Sequence, residues 1–396
     1  MAMQNIQATE CCEMPRMGAW RFVWAVAFLL GLLGLWQRLT YGHHFAAYGS
    51  YVTWGLWVSA YIWLTGLSAG AFLLSSLVYV FHVKPLERLG RISLLTALIT
   101  LLMALLSIWF DLGHMERFFY VFIRPNFQSM MAWMVWLYTA YTILLAAELY
   151  LVLKAPARMK LLQILGAIGI PIAVAFSGGV GALFATVAAR PYWHSPIVPI
   201  FFLTGALVSG GGLLLGISAF LYPMLPQERK NLVQFLAKIV AGLLLFDLLL
   251  EWAEFSVSLW YGFGEKVRTL HLILFGPFWW VFWIVHLLLG SLIPLYLIFT
   301  KKEPAPLGIA GFLIAITFMA VRLNIVIPAL VTPELEGLQT AFRDQRLRFD
   351  YIPSLHEWLV VLFIVSLGIA LFYLSCKWLC QREDQLIRIT RLEVKQ

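Results

Sequence analysis

The sequence predicts an all-α polytopic membrane protein of about ten transmembrane helices, and three observations carry that prediction. Of 396 residues, 62% are apolar and only 12% are charged. Soluble domains average about 25% charged residues, so this chain has too little polar surface to cover a globule in water. Apolar runs of about 20 residues, each long enough to cross a hydrocarbon layer about 30 Å thick, recur through most of the chain. Alternation at period two, the mark of a membrane barrel, is absent. A soluble enzyme is thereby excluded. Since hydrocarbon offers no partner to a bare peptide group, each run must be helical.

In order, the runs are 20–37, 54–82, 91–112, 130–153, 161–184, 197–222, 231–256, 271–299, 307–330 and 355–379. The first follows mostly polar residues and precedes no convincing small-residue cleavage site, so it is expected to be a retained helix, not a signal peptide. Alternate connections differ in charge and length. One side collects Arg16, Arg21, the 83–91 and 154–160 loops, Arg229, Lys230, Lys301, Lys302 and the basic tail, 17 Lys and Arg in all; the other holds nine. Basic loops stay in the cytoplasm, so both termini are expected inside a cytoplasmic membrane. The longer loops (38–53, 113–129, 185–196, 257–270 and 331–354) then face outward. The net charge of +8 is therefore mostly topological, and the tail Arg382 to Lys395 is read as touching anionic lipid and not nucleic acid.

Helices two to five and six to nine carry matching landmarks in the same order, about 140 residues apart. Leu64-Thr65-Gly66 recurs as Leu203-Thr204-Gly205, Phe110-Asp111-Leu112 as Phe246-Asp247-Leu248, and Trp133-x-x-Trp136 as Trp280-x-x-Trp283. This predicts two four-helix bundles in parallel orientation, 54–184 and 185–330. They are preceded by a tail, first helix and loop (1–53) and followed by an outer loop (331–354) and a last helix with basic tail (355–396). The stretches Gly66 to Gly70, Gly178 to Gly181 and Ser209 to Gly212 suit close helix packing. None joins a strand to a helix, so none is a nucleotide loop.

A charge at mid-membrane costs about 2.5 to 3.5 kcal/mol, so each ionisable residue in a span needs a partner or a task. Asp111, His114 and Arg117 cluster at the outer end of the third helix, near Ser129. A carboxylate, an imidazole and a guanidinium within two turns suit hydrogen bonding to a quinone carbonyl and the movement of its protons. Trp54, Tyr61, Trp133 and their aromatic neighbours would sandwich the ring. An interfacial aromatic belt with a helix-end ion pair is the alternative reading. On the seventh helix Asp247, Glu251 and Glu254 share one face at i, i+4, i+7, with Arg322 of the ninth at similar depth, which predicts a buried Arg322 pair with Asp247 or Glu251. Glu148 and His286 stand alone in their helices. With Asp247, Glu251 and Arg322 they are candidate steps of a proton path, although a structural pair or a satisfied core histidine explains them equally.

Cofactors are constrained as well. Only His286 is deep, so bis-histidine haem ligation across the bilayer is not expected. The four cysteines (Cys11, Cys12, Cys376, Cys380) form no Cys-x-x-Cys framework, so this chain is expected to hold no iron–sulfur cluster.

In order along the chain, Trp54-Gly55-Leu56, Gly66-Leu67-Ser68-Ala69-Gly70, Asp111-Leu112-Gly113 with Arg117, Ser195-Pro196 to Pro199, Arg322-Leu323-Asn324-Ile325 and Tyr351-Ile352-Pro353-Ser354 with Glu357 resemble the polysulfide-reductase membrane-subunit family (NrfD/PsrC-like), in its ten-helix HybB/DsrP-like branch. The resemblance spans about residues 50 to 375. It implies a haem-free and cluster-free subunit of a respiratory redox complex that exchanges electrons between the quinone or quinol pool (menaquinone or ubiquinone) and a ferredoxin-like iron–sulfur subunit on the outer face. A molybdenum enzyme, hydrogenase or multihaem cytochrome would lie beyond that partner. Apart from the resemblance, Glu148, Asp247 and His286 as parts of a proton path would couple the redox work to proton translocation. By motif position the quinone site maps to Asp111, His114 and Arg117, with Trp54 and Ser129 near. Gly113-His114-Met115 departs from the family's usual Gly-Arg-Pro-like stretch, which leaves Asp111 and Arg117 better placed than His114. A secondary transporter and a b-type cytochrome are the competing functions.

Overall fold

The computed structural model describes residues 18–154, 158–222, 224–335, 337–342, 344 and 346–393, with side chains as far as Trp378. Cys11, Cys12, Glu336, Arg343, the Cys380 side chain and the basic tail's side chains lie outside that description.

Among the described residues, ten helices are long and apolar enough to cross a membrane. They are α1 (Gly18–Tyr41), α2 (Leu56–Tyr79), α3 (Gly90–Asp111), α4 (Met130–Lys154), α5 (Met159–Ala185), α6 (Val198–Phe220), α7 (Pro226–Tyr261), α8 (Val281–Thr300), α9 (Pro304–Val331) and α10 (Leu355–Glu393). Their direction alternates, so the connections after α1, α3, α5, α7 and α9 share one face, called here the long-loop face.

The eighth run breaks where the sequence suggests one helix over 271–299. A short helix, Glu265–Leu274, ends before Gly276-Pro277, and α8 starts only at Val281. Proline has no N–H to donate and restricts the residue before it, and glycine adds its own helix-breaking cost, so helix is disfavoured at this dipeptide. Over Val281–Leu292 α8 is wound one residue wider than an α-helix, a local form frequent at functional sites.

Helices α2 and α6 sit at the centre. The most apolar window of α2 is 89% buried, against 17% in α1. α2 packs on α3 and α5, α6 packs on α7 and α9, and α2 meets both α6 and α9. The α2–α6 crossing is close because glycines face each other: a Cβ on Gly70 would strike the backbone of Ala206 and Gly210. Small residues are the means of helix association where lipid is as apolar as the side chains. Indole N–H groups add hydrogen bonds between helices, from Trp63 to the Ala315 carbonyl (2.6 Å) and from Trp57 to that of Glu357 (3.1 Å).

α1 and α10 pack on each other, and α10 also packs on α3. This pair flanks one bundle and leaves apolar side chains such as Phe22, Leu29 and Trp36 exposed, as a lipid-facing helix does.

Candidate functional site

At the long-loop face the end of α1, the start of α2, the end of α3 and the start of α10 converge on Asp111. Arg38, in the last turn of α1, is buried; its Nε donates to the Phe110 carbonyl and its Nη2 to the Leu112 carbonyl, each at 2.7 Å. These carbonyls flank Asp111 at a helix C-terminus, where the last acceptors have no partner within the helix and a cation is favoured. The guanidinium carbon also lies 5.7 Å from the Trp57 ring centre. Arg38 thus caps a neighbouring helix.

Asp111 is partly exposed, and its Oδ1 accepts a hydrogen bond from the Tyr48 hydroxyl at 3.2 Å. Burial first, then the charges of Asp111 and Glu357, push the Tyr48 phenol above its ordinary range, which keeps it a donor.

Glu357, in the first turn of α10, is completely buried. It accepts from the Ala47 N–H (2.8 Å), the Ser354 N–H and hydroxyl (3.3 Å each), the Leu56 N–H (3.4 Å) and the Tyr351 hydroxyl. Leu56 opens α2, so this carboxylate satisfies a donor that helix geometry leaves unpaired. His43 and His356 pack beside Trp57, with ring centres 5.7 and 5.5 Å from it.

The expected Asp111–His114–Arg117 group does not assemble. α3 stops at Asp111, Leu112 turns extended, and a short helical turn (Met115–Arg117) carries the other two side chains onto the surface. There His114 Nδ1 lies 2.9 Å from Glu116 Oε1 and Arg117 Nε 3.8 Å from the same oxygen, all three side chains being more than 60% exposed. The Glu116 carboxyl is held below its ordinary range by its own backbone N–H and by His114.

The remaining expected residues scatter. The Ser129 carbonyl accepts the Ala132 N–H (3.1 Å) at the start of α4, and Trp133 is exposed with its indole donating to Phe127 (2.8 Å). Trp54 stacks on Trp193 (5.9 Å), and the Tyr61 hydroxyl is bonded to that of Tyr138 inside the bundle.

A second polar cluster lies in the other bundle. Thr204 donates to Asp247 Oδ1 at 2.5 Å, and His286 Nε2 lies 2.9 Å from Glu251 Oε2. Arg322 forms neither expected ion pair: its Nη2 donates to the Phe202 carbonyl (3.4 Å), its guanidinium sits 4.5 Å from the Phe202 ring centre, and its Nη1 has no partner. Both acids are engaged elsewhere, Asp247 by Thr204 of α6 and Glu251 by His286 of α8, while Gly205 leaves the guanidinium room against α6. Glu254, one turn nearer the loops, takes Lys266 and the Ser195 hydroxyl (3.3 Å). In α4, Glu148 is 1% exposed and its Oε1 has no hydrogen-bond partner. Among the described residues, no group of three or more His, Cys, Asp or Glu is placed to hold a metal.

The sequence profile described as "Polysulphide reductase, NrfD" matches residues 46–334, well over half the chain. The chain belongs to the NrfD family. Curated relatives of this NrfD-family protein include a selenate reductase subunit of Mesobacillus selenatarsenatis, 36% identical and aligned over 88% of this chain and 90% of the relative. The Hdr-like menaquinol oxidoreductase integral membrane subunit of Archaeoglobus fulgidus is 28% identical over 82% and 84%, and the menaquinone reductase integral membrane subunit of Nitratidesulfovibrio vulgaris is 20% identical over 94% of each.

The NrfD match contains Tyr48, Trp57 and Asp111 but ends short of Arg38, His43, Tyr351, His356 and Glu357. Those five come from α1, α10 and their adjoining loops, outside the matched region: Arg38 caps the carbonyls that flank the family-matched aspartate, and the other four pack on Trp57 and Leu56 at the start of α2. Sequence reasoning missed Arg38 as a buried group because it was counted among the loop charges. Its signal was a cation in the last turn of an apolar run. Glu357 had a comparable signal, an acid in the first turn of a span.

Proposed function

We propose that this NrfD-family membrane subunit exchanges electrons between the menaquinone or menaquinol pool and an iron–sulfur subunit docked on the long-loop face, and that this face is the outer side of a cytoplasmic membrane with both termini inside. The menaquinol and menaquinone named for two relatives support the choice of quinone. The excess of Lys and Arg on the opposite face supports the sidedness.

The observation that carries the reading is the setting of Asp111. A partly exposed carboxyl ends a membrane-length helix, with a hydroxyl donor on one oxygen and a capped backbone behind it, which suits it to meet a ring that arrives from lipid. Oxidation of a quinol releases two electrons and two protons. The electrons pass to the iron–sulfur partner, and Asp111 receives a proton from the ring hydroxyl, since a carboxylate within hydrogen-bond reach is a competent general base. Glu148 and the Asp247, Glu251, His286 and Arg322 cluster then serve as proton-path groups that couple the redox step to transport.

The test is Asp111→Asn in the assembled complex. It removes the base but keeps the shape and the Tyr48 acceptor. Quinol-linked turnover is expected to fall by about 100-fold or more, the usual contribution of a positioned acid or base, while the subunit still inserts and assembles. Turnover at the unmodified rate would refute the site.

A further inference from the structure

The α1–α10 pair brings two histidines to the Asp111 site from outside the family-matched region. Both have Nε2 buried with no hydrogen-bond partner in the protein. His356 Nδ1 lies 3.1 Å from Gln37 Oε1. An amide oxygen accepts and never donates, so the proton is on Nδ1 and the His356 Nε2 presents a lone pair. His43 lies against the Phe110 carbonyl that Arg38 caps. A buried nitrogen of this kind takes its partner from water or from a substrate hydroxyl, because leaving it unmade costs about 1 to 3 kcal/mol.

The charged and titratable groups around the pair are Arg38 on α1, Tyr48 in the following connection, Asp111 on α3, Tyr351 before α10 and Glu357 on α10; α2 presents the Trp57 indole. The arrangement has two buried imidazole nitrogens, a fixed cation, and the Tyr48 ring, which packs on His43 and carries the hydroxyl that donates to Asp111.

We propose that His43 and His356 are the proton relay of the Asp111 site, taking up the second proton of each quinol and returning it to water at the long-loop face. The step balances. As the quinol is oxidised both O–H bonds break, two electrons go to the iron–sulfur partner, one proton goes to Asp111 and the other forms an N–H bond at an imidazole Nε2. The imidazolium then loses that proton to solvent. Burial and the Arg38 charge hold His43 below its ordinary basicity, so a proton gained there is not retained at neutral pH. Since the relay rests on the Asp111 reading, its test must separate the two.

In the assembled complex, quinol oxidation is followed against pH for Asp111→Asn, for the double variant His43→Gln with His356→Gln, and for each single variant, with and without added imidazole. The double variant is expected to lose at least about tenfold in rate near neutral pH, to lose the limb of the pH profile that follows histidine deprotonation, and to regain rate when imidazole is supplied as a diffusible base. A wild-type rate and profile in the double variant, with Asp111→Asn inactive, overturns the relay and leaves the site standing. Full activity of Asp111→Asn overturns the site itself. Should the double variant fail to assemble, each single variant is judged by rescue alone: a loss that imidazole does not restore refutes the relay, because a packing defect is not repaired by a base.

Discussion

Gly205 shows how one missing side chain decides where a charge resides. A Cβ there would come within 2.6 Å of Arg322 Nη2 and 3.2 Å of the Phe318 ring, so only glycine leaves room for the guanidinium against α6. Gly205→Ala is expected to push Arg322 off the Phe202 carbonyl and to destabilise the protein by about 1.5 to 3 kcal/mol, the usual worth of a hydrogen bond to a charged group. A fall in the thermal midpoint of the detergent-solubilised protein checks this, and an unchanged midpoint would show that the guanidinium has somewhere else to go. From sequence, this glycine reads as a landmark of the internal repeat. Its role toward Arg322 was not legible, since the two are 117 positions apart and nothing local to either marks the contact. Arg38 and Glu357 were illegible as partners of the Asp111 site for the same reason. Asp111 itself was legible because an acid interrupting an apolar run is costly wherever it lies.

At the scale of the helix, periodicity gives the face of a side chain but not what it meets. The i, i+4, i+7 spacing correctly aligns Asp247, Glu251 and Glu254 on α7, yet each finds a different neighbour: Thr204 of α6, His286 of α8, and Lys266 of the short surface helix. The widened winding of α8 carries His286, and the Ser291 hydroxyl bonds back to the His286 carbonyl at 3.1 Å. If these contacts and Glu148 conduct protons, replacing Glu148, Asp247 and His286 by Gln, Asn and Gln should lower the protons moved per electron pair in reconstituted vesicles while quinol oxidation continues. An unaltered stoichiometry removes the path. Helix ends also decided the first site. α3 ends at Asp111 whereas α7 continues well past Asp247 to Tyr261, so the matched landmarks Phe110-Asp111-Leu112 and Phe246-Asp247-Leu248 come to lie in different settings, one at a capped end and one inside a bundle.

For the whole molecule, the proposed sidedness rests on charge, because loops rich in Lys and Arg resist transfer across the membrane. Cysteines introduced singly at Gly113 and at Gln227, on opposite faces, should differ in labelling by an impermeant thiol reagent added to intact cells, with only the position at 113 modified from outside. Labelling at 227 instead would place the long-loop face in the cytoplasm and end the proposal of an outer docking partner.

The sequence by itself determined the class of protein, the helical state of its spans and the family, because in hydrocarbon each span must satisfy its own backbone and be apolar along its length, conditions written locally in composition. Only the tertiary structure decided which polar groups share a site. It separated His114 and Arg117 from Asp111, gave Asp247 to Thr204 and Arg322 to the Phe202 carbonyl, and brought Arg38, His43, His356 and Glu357 to the end of α3. Those pairings depend on where helices stop and which ends they cover, and contacts between residues more than 300 positions apart leave no mark on the local pattern of either partner.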